Sequence, residues 1–156
     1  MLPEKTTLIE KLLNNSESTT DLLQQLTKHA LSCSLEFQKK YKDDDSDNEF
    51  LLRSTKLYFK NKEFPVIYSI SSIDLSNLTQ EEILRLKDGN TPIGAIFNFT
   101  LTKTDICVRE HFDQRLQKIL KTSTDSFFQK SYKLWSKSRY IGIVKEIFNT
   151  ETLERF

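Results

Sequence analysis

Only three glycines, Gly89, Gly94 and Gly142, occur in the 156 residues of this chain, against a usual share of roughly 7%. Loops in which successive backbone N–H groups cradle a phosphate need clustered glycines. Neither a Rossmann fingerprint nor a P-loop can therefore be assembled. The polar balance narrows the field further: 23 Lys and Arg stand against 22 Asp and Glu, a formal net charge of +1. That is not the broad positive field of a nucleic-acid binder. No apolar run approaches the roughly 18–20 residues needed to span a bilayer, and the opening MLPEKTTLIEKLL has no signal-peptide core. Two cysteines, Cys33 and Cys107, make no disulfide framework and fit a reducing compartment. The length fits one domain spanning residues 1–156, and 11 Phe supply apolar volume for its core.

Hydrophobic spacing then orders the elements. Pro3 ahead of Leu8, Ile9, Leu12 and Leu13 predicts a short amphipathic helix ended by Asn14-Asn15-Ser16. Ser18-Thr19-Thr20-Asp21 offers helix-start chemistry for a second, with Leu22, Leu23, Leu26 and Ala30 as its stripe. The period next falls to two: Leu31, Cys33, Leu35 and Phe37 alternate with polar residues as in a half-buried strand. Strands over 50–59 and 64–73, joined by Lys60-Asn61-Lys62-Glu63, predict an antiparallel hairpin. Thr79 with Glu82 three residues on is a capping box for a helix containing Ile83, Leu84 and Leu86, stopped at Asp88-Gly89-Asn90. Pro92 is expected at the first position of a helical turn. A strand is expected over 100–112, with Ile106, Val108 and Phe112 on one face, and two more over about 126–149 joined near Ser136-Lys137-Ser138-Arg139. Six strands with two or three helices placed early and mid-chain make an antiparallel α+β pattern.

Few residues invite chemistry. Asp43-x-Asp45-x-Asp47 imitates the start of an EF-hand loop, but Asn48 and Ser54 stand where Gly and Glu are needed, so a solvated loop is expected. His29-x-x-x-Cys33 and Cys107-x-x-x-His111 form a mirrored pair that lacks the tight knuckles of structural zinc, and Cys33 falls among apolar neighbours. Arg53 and Glu146 are more informative. Arg53 shares a strand face with Leu51, Thr55, Leu57 and Phe59, and Glu146 shares one with Tyr140, Val144 and Phe148. A charge on an apolar face needs a partner. Either the two pair with each other, or they flank a bound organic acid.

The order of motifs resembles the chorismate pyruvate-lyase (chorismate lyase) family, in particular its plastid and cyanobacterial branch. Leu51-Leu52-Arg53, then Phe64-Pro65-Val66-Ile67-Tyr68 and Leu75-Ser76-Asn77-Leu78, resemble its Leu-Arg strand, Pro-aliphatic strand and helix lead-in. Thr91-Pro92-Ile93-Gly94 is similar to its Pro-Leu-Gly turn. Ile143-Val144-Lys145-Glu146-Ile147-Phe148 resembles its terminal strand, and Ser18-Thr19-Thr20 its N-terminal segment. The likeness runs from about residue 18 to residue 149.

The resemblance implies a single six-stranded antiparallel sheet with helices packed on one side and a buried site. It implies conversion of chorismate to 4-hydroxybenzoate and pyruvate for quinone synthesis, with no metal or organic cofactor. Its substrate-contacting positions fall on Thr19, Arg53, Ile93 and Glu146, with Arg53 and Glu146 as the catalytic pair. Thr19 departs from the family's Met or Leu, Asp21 from a basic residue, and the basic cluster before the last hairpin is thinned to Lys130 and Lys133. A guanidinium suits a dicarboxylate. Aromatisation drives the reaction, so holding a reactive conformer does much of the work. Glu146 is expected to hydrogen-bond the ring hydroxyl or to accept or relay a proton. The alternative is a non-catalytic protein that binds a small aromatic acid on the same fold, as effector domains of transcription regulators do. The expected context is a monomer in a plastid or the cytoplasm, without nucleic-acid partners or membrane insertion.

Overall fold

Alternating side chains organise most of the chain into strands. In the computed structural model, which describes residues 4–59, 65–97, 100–123 and 125–153, these are β1 (Leu31–Lys42), β2 (Glu49–Phe59), β3 (Pro65–Asp74), β4 (Leu101–Phe112), β5 (Ser126–Ser136) and β6 (Arg139–Phe148). They form one antiparallel sheet in the order β1-β2-β3-β6-β5-β4, the expected α+β architecture. Pro3 and the Lys60–Glu63 turn lie outside the described residues, but the hairpin joined by that turn is present, with Arg53 opposite Ser71 and Thr55 opposite Ser69.

Helices α1 (Glu4–Asn14), α2 (Thr19–Thr27), α3 (Gln80–Asp88) and α4 (Ile93–Ile96) cover one face of the sheet. Two apolar clusters hold them there. Leu8, Leu12 and Leu23 pack on Leu57, Phe59, Ile67 and Phe148, and Leu153 of α6 (Thr150–Leu153) joins them. Leu86, Ile96 and Phe97 pack on Leu51, Ile73, Tyr132, Leu134 and Val144. One short helix, α5 (Gln114–Ile119), covers a corner of the opposite face, where Leu116 and Leu120 meet Phe127 and Ile147. Among the described residues no helix is long and apolar enough to cross a membrane.

Local chemistry fixes the element ends. Ser18 caps α2 by accepting from the Asp21 N–H at 3.2 Å. The capping box of α3 is complete: Glu82 N donates to Thr79 Oγ1 at 3.1 Å and Thr79 N to Glu82 Oε1 at 2.9 Å. Glu82 also takes a bidentate contact from Arg139 at the start of β6, which holds its carboxyl down to about 2. Gly89 ends α3 in the left-handed region at φ 77°. Pro92 is the residue before α4, one position earlier than expected.

Two bulges redirect side chains in ways that plain alternation does not foresee. A slip between Leu35 and Phe37 turns Phe37 outward, 49% exposed, and brings Gln38 inward. A second slip, between Thr104 and Cys107, leaves Ile106, Val108 and Phe112 exposed, so the buried residues of β4 are Leu101 and Lys103. Gly142 serves the sheet itself. A Cβ there would lie 2.1 Å from the Ser72 carbonyl oxygen, so glycine permits the close approach of β6 to β3. Gly142→Ala is expected to lower stability by about 1–3 kcal/mol, and an unchanged urea midpoint would contradict this role. Thr79→Ala is expected to cost about 1 kcal/mol through the lost cap, read in the same titration.

Candidate functional site

The two apolar clusters leave a polar band between them. Thr55, Ser69, Glu146 and Lys130 lie directly opposite one another across β2, β3, β6 and β5. The next row carries Arg53, Ser71, Val144 and Tyr132. With the starts of α2 and α4 above it, this band forms a cleft lined by Thr19, Arg53, Ile93, Lys103, Tyr132 and Glu146, among others. All four expected substrate-contacting positions therefore face one space. Its cavity volume is about 20 Å³, room for one water or two, so a ring-sized ligand requires its walls to part.

Arg53 is 3% exposed. Its Nη2 donates to the Thr91 carbonyl oxygen at 3.1 Å, and its buried Nε has no hydrogen-bond partner among the described residues. Burial lowers its pKa, offset in part by the neighbouring Cys33 thiol. Burial pushes the Cys33 thiol up while Arg53 and Thr55 draw it down.

Glu146 is 4% exposed and takes its cation from elsewhere. Thr19 Oγ1 donates to Glu146 Oε1 at 3.0 Å, and Lys103 Nζ lies 3.8 Å from the same oxygen. Lys103 Nζ also donates to Thr19 Oγ1 and sits 4.6 Å above the Tyr132 ring. Among the described residues, Arg53 and Glu146 form no ion pair, and Glu146 pairs with Lys103 instead. Burial lowers the Lys103 pKa and Glu146 raises it. Burial, and then the charge and hydrogen bond of Glu146, hold the Tyr132 phenol well above its usual range, so it stays protonated.

Lys130 is wholly buried. Its Nζ donates to the carbonyl oxygens of Leu12 at 2.8 Å and Asn15 at 2.5 Å. These lie at the C-terminal end of α1, where carbonyls lack helical partners and the dipole is negative. Burial and the nearby Lys103 charge bring its pKa down to about 8, against the pull of Glu146.

Of the residues that sequence reading passed over, Lys103 matters most. The signal was present, because Lys103 shares a strand face with Leu101 just as Arg53 shares one with Leu51. Lys130 was noted only as a remnant of a basic cluster, while Lys133 points away from the cleft and pairs with Asp105 at 3.1 Å. Gly94 sets the spacing of α4 and α2, because a Cβ there would lie 2.6 Å from Ser18 Oγ. The Asp43–Asp47 stretch is a turn in which Ser46 Oγ donates to Asp43 Oδ2 at 2.9 Å. Cys33 and Cys107 lie on opposite edge strands, and no group of three or more possible metal ligands occurs among the described residues.

Comparison with known proteins bears on the family and the fold. The family model described as chorismate pyruvate-lyase Rv2949c-like matches residues 5–156. The chain belongs to that family. A search of curated protein sequences finds no match. Among solved structures, the effector domain of PhnF from Mycobacterium smegmatis is similar, with TM-score 0.63 and 11% identity over 85% of this chain and 88% of that one. The gene product SA0254 from Staphylococcus aureus gives TM-score 0.61 and 8% identity over 88% and 91% of the two chains. The ligand-binding domain of a protein assigned to the GntR family of transcriptional regulators, from Bordetella bronchiseptica, gives TM-score 0.59 and 10% identity over 79% and 85%. At these identities the likeness is one of fold, and it places this lyase-family chain in an architecture shared with regulator domains.

The position of Lys130 has a measurable consequence. Its folded pKa of about 8 lies below the ordinary 10.5. Between these values the unfolded chain keeps a proton that the folded chain has released, so this group adds stability as pH rises through that window. The urea midpoint of the wild type should climb relative to Lys130→Met from pH 8 to pH 10; a constant difference would contradict the shifted lysine.

Proposed function

We propose that this protein is a chorismate pyruvate-lyase that converts chorismate to 4-hydroxybenzoate and pyruvate. The observation that carries the proposal is the buried Arg53, which has no acidic partner among the described residues and lines the same cleft as Glu146 in a chain of this family. A guanidinium out of water needs an anion, and a carboxylate of the substrate supplies one. Glu146, fixed by Thr19 and Lys103, then meets the ring hydroxyl.

In the reaction the ring carbon bearing the hydroxyl loses its hydrogen, and that C–H electron pair completes the aromatic ring. The bond between the ring and the ether oxygen breaks, and its electrons leave with the enolpyruvyl group, which is protonated at its methylene carbon to give pyruvate. Aromatisation provides the driving force, so Arg53 and the α4 turn at Ile93 act by holding the reactive conformer. Glu146 orients the hydroxyl or takes the ring proton. No cofactor takes part, and the product enters quinone synthesis in a plastid or the cytoplasm. The protein acts as a monomer built from one domain.

The second reading is a non-catalytic binder of a small aromatic acid, favoured by the fold likeness to effector and ligand-binding domains. Purified protein incubated with chorismate distinguishes the two: the lyase forms pyruvate and 4-hydroxybenzoate in equal amounts above the spontaneous background. Thermal stabilisation by 4-hydroxybenzoate without turnover would decide for the binder. Arg53→Ala should lower kcat/KM at least a hundredfold while leaving the circular dichroism spectrum intact, and unchanged kinetics would remove Arg53 from the site. Glu146→Gln should lower kcat more than it weakens product binding if the carboxylate acts in the transition state. Equal loss of both would assign it a positioning role.

A further inference from the structure

The polar band holds more positive charge than a monocarboxylate can use. Arg53, Lys103 and Lys130 are buried cations, and Glu146 is the one carboxylate among the described residues that reaches them. The other buried acid, Asp74, accepts from Ser76 N and Ser76 Oγ. Three cations against one carboxylate leave two positive charges out of water. Lys130 is occupied by carbonyls at the end of α1. Lys103 is less settled: it lines the cleft and lies 3.8 Å from Glu146 with Thr19 between them. It also comes from the far edge of the sheet, since β4 and β2 are separated by three strands. By strand spacing their backbones are roughly 19 Å apart. Lys103 crosses β5 to reach Glu146 on β6, so its ammonium lies over the middle of the sheet, displaced from Arg53.

We propose that Lys103 is a specificity residue that binds the second carboxylate of a dicarboxylate ligand, while Arg53 binds the first. The inference rests on the lyase reading for the identity of the ligand, but the charge count is independent of turnover. In chorismate the second carboxylate belongs to the enolpyruvyl group. It leaves with pyruvate, so the product retains one carboxylate and loses its hold on Lys103. The site thereby favours substrate over product. Thr19 positions the ammonium: it accepts from Lys103 and donates to Glu146, a bridge that the family's usual Met or Leu could not make.

The test compares 3-(carboxymethoxy)benzoate with 3-methoxybenzoate, two unreactive ligands that differ by one carboxylate, using calorimetric titration. The wild type is expected to bind the dicarboxylate at least tenfold more tightly. Lys103→Met should reduce that preference to twofold or less, and Lys103→Arg should restore the preference. Should Lys103→Met fail to fold, Lys103→Gln, which can still donate to Thr19, is read in the same way. A preference that survives in the variant, equal weakening of both ligands, or no preference in the wild type overturns the proposal. Chorismate turnover separates the two readings. A wild type that forms no 4-hydroxybenzoate yet prefers the dicarboxylate refutes the lyase and keeps Lys103 in its role. Active wild type whose KM for chorismate is unchanged in Lys103→Met refutes Lys103 alone.

Discussion

The carboxylate of Glu146 is the constraint around which the rest is arranged. A charge taken from water in mid-sheet is costly unless hydrogen bonds and a cation meet it. Three separate parts of the chain do so: Thr19 from the first turn of α2, Lys103 from the edge strand β4, and Tyr132 from β5. Lys130, directly opposite Glu146 in the sheet, extends the network to the end of α1. The backbone follows the same path, since Lys103 N donates to the Ser16 carbonyl oxygen at 2.8 Å. The α1–α2 segment is therefore fastened to the sheet by the same charges that furnish the cleft.

That coupling gives the site a mechanical character. The roof of the cleft consists of the starts of α2 and α4, spaced by Gly94 against Ser18. Apolar residues of both clusters, among them Leu57, Leu134 and Val144, line the cleft beside its charges. A ligand that parts the roof exchanges internal hydrogen bonds for its own, so charge complementarity, more than buried area, decides what can enter.

Much of this was legible in the sequence. Alternation located six strands, the Thr79–Glu82 spacing located α3, and charges on apolar faces located Arg53 and Glu146. The misses have specific causes. Plain alternation cannot register a bulge, so it groups Phe37 with the half-buried face of β1 and gives no sign that the shared face of Ile106, Val108 and Phe112 is exposed. Lys103 sat just before the second bulge, where the pattern of β4 breaks, and its inward direction was hidden by the polar residues that follow. The role of Gly142 leaves no mark in the sequence, because strand approach is a property of two strands. Sheet order puts β2 and β4 each two strands from β6, so the pairing of Glu146 with Lys103 in place of Arg53 follows from the Thr19 bridge between them, a contact across 84 and 127 residues that strand pattern does not show.

The central claim is that Arg53 and Glu146 hold the two ends of one aromatic acid. A crystal structure with 4-hydroxybenzoate tests it most directly. The account predicts the ligand in the cleft beneath α2 and α4, its carboxylate hydrogen-bonded to the Arg53 guanidinium and its hydroxyl to Glu146. A ligand bound outside the cleft, or an Arg53–Glu146 ion pair with the ligand excluded, would contradict it.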